Sequence, residues 1–205
     1  MIRLFVHLCK EFHEIKSIKM NDYDLLTKVS LLYPELTPCP SCKAPADSYK
    51  KNGGYHRHFV YLSDDNAIID SDLNIRALRC KSCGTTHALL NSLIVPYSSF
   101  SIGFIISILY YRLTHSNTSV EKLCDTFMIS ESTYYRIRRR LYTDYHQMCS
   151  LLNIMHDAIQ LIKTLFSTSV HTLHELLKKF FSNTGYSFLQ PYIKFRQGHK
   201  TKNSS

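Results

Sequence analysis

An α+β fold, mostly helical, is predicted by three observations in this 205-residue sequence. Between Pro38 and Tyr97, short alternating apolar runs are separated by turn residues, the texture of a β-hairpin. Beyond Pro96 the apolar residues recur at steps of three and four almost to the end, the texture of packed helices. Two Cys-x-x-Cys pairs, at 39–42 and 80–83, bracket the β region.

In chain order, residues 1–36 form an N-terminal segment. It holds an apolar opening, "MIRLFVHL", and a short helical pattern through Leu25, Leu26, Val29, Leu32 and Tyr33 that Pro34 stops. Residues 37–97 carry the β module. "NGG" at 52–54 and "SDDN" at 63–66 read as turns, with "YHRHFVYL" and "LNIRALR" as strands. Helices are expected over 98–113, 119–127, 131–166 and 170–181, the last ending near Gly185. The first three of these open a unit over 98–145; residues 146–205 are expected to form a helical hairpin and a basic tail.

Composition narrows the function. Twenty-five Lys and Arg against sixteen Asp and Glu leave a net charge of +9, which favours a polyanionic partner. Lys10, Glu11, Glu14 and Lys16 interrupt the early hydrophobics, so a secretory leader is not expected. The longest apolar run, "SIGFIISILYY", falls short of the ~20 residues of a membrane span and reads as a buried core helix. Seven cysteines without a secretory leader imply reduced thiols in a cytoplasmic location and metal binding rather than disulfides, and a DNA partner would associate the chain with the nucleoid.

Cys39, Cys42, Cys80 and Cys83 are therefore the expected ligands of one structural Zn²⁺ ion, in a zinc ribbon. A two-residue gap lets a tight turn aim both sulfurs of a pair at one tetrahedral ion. Four thiolates leave no open coordination position, so no catalysis is assigned to the metal and no enzymatic activity to the chain. The plainer readings are unliganded core cysteines or a redox dithiol, and the latter lacks a surrounding βαβ pattern. His87 lies four residues past Cys83 and is a spare ligand; His56 and His58 share a strand face and read as surface histidines. Cys9, Cys124 and Cys149 are isolated and read as structural.

"SVEKLCDTFMISESTYYRIRRRL", residues 119–141, follows a helix-turn-helix pattern. Leu123, Cys124 and Phe127 face inward from the first helix, Ile129 fills the turn, and Tyr134, Ile137 and Leu141 pin the second. Ser130 is the expected N-cap. Met128 stands where glycine is usual, at a cost on the order of 1 kcal/mol if its φ is positive. Glu131, Ser132, Thr133, Tyr135, Arg136, Arg138, Arg139 and Arg140 then project outward, a set suited to double-stranded DNA. Arg136 is the expected base reader, with Arg138, Arg139 and Arg140 on phosphates. The plainer reading is a solvated basic face.

Leu141, Tyr145, Met148, Leu152, Met155, Ile159, Ile162 and Phe166 continue as a heptad seam. Either the helix around Val170, Leu173, Leu177 and Phe180 covers it, or that helix and a second copy do so together, as a homodimer. No small-molecule substrate is evident.

On "CPSC", "RCKSCGTTHALL", "LIVPYSSFS" and the helix-turn-helix, the chain resembles a bacterial family of zinc-ribbon plus helix-turn-helix proteins, a domain of unknown function. That family is related in layout to the N-terminal DNA-binding region of insertion-sequence transposases. The resemblance implies a transposase-like or regulator-like DNA-binding protein. The three carboxylates of a transposase nuclease domain are not matched, since only Asp144, Asp157 and Glu175 follow Leu141. The expected function is sequence-specific duplex binding without nuclease activity. The alternative is a protein–protein adaptor using the ribbon and the heptad helix.

Overall fold

The computed structural model describes residues 2–5, 38–39, 41–63, 65–90 and 93–191. Cys9, the helical pattern before Pro34 and the basic tail beyond Pro191 lie outside the described residues. The architecture is α+β: a four-stranded sheet and, among the described residues, five α-helices.

Strands β1 (Ile2–Phe5), β2 (Tyr49–Leu62), β3 (Ile68–Cys80) and β4 (Thr86–Leu90) lie in the order β1-β4-β3-β2. The long antiparallel hairpin of β2 and β3 turns where "SDDN" predicts it, closed by the Ser63 amide donating to the Ala67 carbonyl at 2.9 Å. β4 continues antiparallel to β3, and β1 joins β4 in parallel, Ile2 opposite His87. That last pairing adds a strand from the N-terminal segment to the edge of the sheet. A parallel partner more than eighty positions away leaves no local signal.

"NGG" is not a turn but a bulge inside β2, where the register shifts between Lys51 and Gly54. Gly53 takes a positive φ of 68°, and a Cβ on Gly54 would sit 2.6 Å from the Ile75 carbonyl oxygen. Glycine is thus required twice for one irregularity, which lets the hairpin stay continuous.

The helices are α1 (Ile102–Thr114), α2 (Val120–Phe127), α3 (Glu131–Leu152), α4 (Ala158–Ser167) and α5 (Val170–Thr184). Ser101, Ser119, Ser130 and Ser169 cap α1, α2, α3 and α5, each hydroxyl accepting from the amide three residues on. α1 is almost all apolar because it is enclosed: Phe104, Ile105 and Ile108 are fully buried, with β2 against one side and α4 against another.

The expected helix over 131–166 is two helices. Asn153 adopts a left-handed conformation, φ 52° and ψ 38°, and ends α3; Asp157 then caps α4 through the amides of Ile159 and Gln160. The heptad spacing runs across the break by coincidence, and Met155 and Ile159, on the supposed seam, are exposed. In place of a C-terminal hairpin of two helices packed on each other, α5 packs on α3 and α4 folds back onto α1. There Tyr110 and Phe166 stack with ring centroids 3.8 Å apart.

Candidate functional site

At the base of the hairpin, the two cysteine pairs adopt the same local fold. The amide of Cys39 donates to the Ala44 carbonyl and that of Lys43 to the Cys39 carbonyl, at 2.8 and 2.7 Å. The amide of Cys80 donates to the Thr85 carbonyl and that of Gly84 to the Cys80 carbonyl, at 3.0 and 2.9 Å. Lys43 and Gly84 hold equivalent left-handed positions, φ 62° and 71°. Lysine thus accepts the strain that glycine avoids in the second loop.

These matched loops bring four sulfurs together, all within 4.8 Å of one another. Cys39 Sγ lies 3.8 Å from Cys83 Sγ, and Cys42 Sγ 3.7 Å from Cys80 Sγ. A tetrahedral ion with metal–sulfur bonds of about 2.3 Å needs sulfur–sulfur edges of about 3.8 Å, so the cluster has the dimensions to bind a metal ion. Cys39 and Cys80 are buried, Cys42 and Cys83 exposed, as expected of a site on a loop pair at a sheet end.

The sulfurs divide their protons unequally. The Thr85 hydroxyl and amide bring Cys83 down to about 6. Cys42 is pushed up to about 12, the Ala44 amide pulling it down while desolvation and the neighbouring sulfurs push harder. Four thiolates cannot crowd this closely without a cation among them.

Two further residues close round Cys39. The buried His87 places Nε2 3.4 Å from its sulfur, and its ring meets Tyr49 edge to face at 5.8 Å. Burial, then the charge of Cys39, drives the Tyr49 phenol well above its ordinary value. His87 thus stands beside the four sulfurs rather than replacing one. Tyr49 was not legible from sequence, because nothing in a strand tyrosine marks the approach of His87 from another strand.

The second candidate surface is α3. Leu123, Cys124, Phe127, Tyr134, Ile137 and Leu141 are all buried, and Ile129 packs against them. Met128 ends α2 with φ 51° and ψ 42°, and the Ser130 hydroxyl accepts from the Thr133 amide at 3.2 Å. At about 100° per residue, the buried trio of α3 puts Ser132 and Arg139 on the crest of the exposed side. Glu131, Tyr135 and Arg138 lie on one flank, where the Arg138 guanidinium sits 5.5 Å from the Tyr142 ring centroid. Thr133, Arg136 and Arg140 lie on the other.

That other flank borders a cleft of about 320 Å³ against residues 97–100 and His58. Arg136 does not reach outward along the crest. Its Nε donates to the Ser132 carbonyl at 3.1 Å and its Nη2 to the Thr133 hydroxyl at 3.0 Å, which turns the guanidinium along its own helix toward the cleft. Arg140 is half-buried, and its pKa is lowered by that burial and by the charge of Arg136. His56 and His58 stay on the exposed hairpin face, His58 Nε2 2.7 Å from Asp70 Oδ1.

No helix among the described residues is long and apolar enough to cross a membrane. No curated protein matches the chain, and no solved structure does. Residues 39–139, from the first cysteine of the metal cluster to the arginines of α3, match the family model described as a domain of unknown function, DUF6431.

Proposed function

We propose that the chain is a zinc-ribbon protein that binds double-stranded DNA through α3, reads sequence there, and has no nuclease activity. The observation that carries the reading is the sidedness of α3. Three buried side chains and a capped, tightly turned entry fix the helix, and its exposed side offers Ser132, Tyr135, Arg139 and their cationic neighbours. A fixed helix with hydrogen-bonding groups along its crest suits a major groove. Zn²⁺ is the ion that best suits four thiolates at tetrahedral spacing, and its part is structural.

The turn of Arg136 into the cleft moves base reading from that residue to Arg139 and Ser132 on the crest, with Tyr135 beside them on the flank away from the cleft. Arg138 remains a phosphate contact. Selection of bound duplexes from a random pool is expected to enrich one motif. Arg139→Ala is expected to relax the preference at one base pair and to cost about 1–3 kcal/mol on the selected site. Absence of any enriched motif, or equal losses on selected and random duplexes, overturns sequence reading by this helix. The adaptor alternative draws on the ribbon and the heptad seam, and of that seam Met155 and Ile159 are exposed, a smaller and less organised surface than the crest of α3.

A further inference from the structure

We propose that the cleft between α3 and residues 97–100 is a phosphate-binding site, gripping one backbone phosphate of the duplex with the guanidinium groups of Arg136 and Arg140. The proposal deepens the DNA-binding reading and rests on it for the identity of the ligand.

One helical turn apart on the same flank, the two arginines line one cleft. Arg136 is held there by its bonds to Ser132 and Thr133. Among the described residues, no carboxylate lies within ion-pair distance of either guanidinium. The two like charges repel across the cleft, and Asp144, one turn beyond Arg140, offsets only part of that without reaching ion-pair distance, so a bound anion relieves the remainder. Asp70 on the hairpin already holds His58.

The opposite wall is stiff. The Val60 amide donates to the Ser99 carbonyl at 2.7 Å and the Ser101 amide to the Val60 carbonyl at 2.9 Å, which stitches this loop to the edge of β2. Tyr97 stands at its rim in a left-handed conformation, φ 58°, uncommon for so bulky a residue, and is more than half exposed. Strain of that kind persists where the surroundings fix it, and it places a phenol at the mouth of a cationic cleft. Paired guanidinium forks suit a tetrahedral oxyanion better than a single ammonium would. The cleft opens alongside the crest of α3, so a helix seated in a groove would bring the bordering strand's phosphate to it. A duplex phosphate therefore explains both the charge and the openness of the site.

The test has two arms. In the first, inorganic phosphate is titrated into the full chain while the Nε–H signals of its arginines are followed by NMR. The Arg136 and Arg140 signals are expected to shift and saturate together while Arg139 stays nearly still. Parallel drift of all arginine signals overturns the site. In the second, phosphates of the selected duplex are neutralised one at a time as methylphosphonates. One position is expected to weaken the wild type about tenfold or more and to have no effect on the Arg136→Gln, Arg140→Gln double variant, whose salt slope is lower by about one. Equal sensitivity of both proteins at every position overturns the proposal. If the wild type binds no duplex at all, the DNA-binding reading fails, and the phosphate titration alone decides the cleft.

Discussion

Asp144 shows how much one buried side chain can tie together. It sits on α3 one turn beyond Arg140, almost inaccessible, and accepts from the Leu189 amide at 2.8 Å and the Tyr186 hydroxyl at 3.2 Å. Burial pushes its carboxyl up to about 6 against the pull of those two donors and of Arg140. Because the folded pKa is raised, the folded state holds the extra proton between about pH 4 and 6, and stability falls as pH rises through that window. Asp144→Asn removes the ionisation but satisfies only one of the two donors. Its melting temperature is expected to lie below the wild type at pH 5, with the gap narrowing by pH 7.5. Parallel curves would mean that Asp144 does not titrate there. The cysteines answer to a different measurement. Cys80→Ser is expected to take bound zinc from one equivalent per chain to near none by elemental analysis and to lower the melting temperature sharply, whereas Cys149→Ser leaves zinc content unchanged. Retention of a full equivalent by the Cys80 variant would remove the four-cysteine site.

Among the elements, the α2–α3 pair was the most legible and the end of α3 the least. Ser130 marked the start of α3, and its hydroxyl does cap that helix, as Ser119 caps α2. Met128 was legible as a turn residue in the wrong chemistry, and its left-handed backbone bears that out. Met128→Gly is expected to stabilise by about 1 kcal/mol, raising the melting temperature by roughly 2–4 °C, since the side chain is exposed and contributes little packing. No change, or a decrease, would show that the loop does not carry the strain. Asn153 gave no comparable warning. Neither glycine nor proline interrupts 149–160, and apolar residues happened to keep heptad spacing across a corner. The bulge at Gly53 and Gly54 was misread for the opposite reason, since a glycine pair announces irregularity without saying whether the strand ends.

Over the whole molecule, what sequence conveyed was local and what it withheld was long-range. Cysteine spacing, hairpin signals and the inward trio of α3 are each contained within a few residues. The parallel seat of β1 beside β4, the approach of Tyr49 to His87 and the cleft between α3 and the 97–100 loop all join distant segments. The hairpin connects the two candidate sites physically. From Tyr49, beside the cysteines, to His58, at the cleft, β2 advances roughly 25–30 Å at about 3.3 Å per residue. The cysteine cluster and the cleft therefore lie far apart along the hairpin, and any coupling between them has to pass through the rigidity of β2 and β3.

The stacking of Tyr110 on Phe166 has a practical corollary. Every motif by which this polypeptide can be recognised ends before α4 begins, yet α4 is the lid over the greasy side of α1. A fragment trimmed at residue 139 would keep all its signposts and lose its roof, leaving an isoleucine-rich rod open to water and prone to clump.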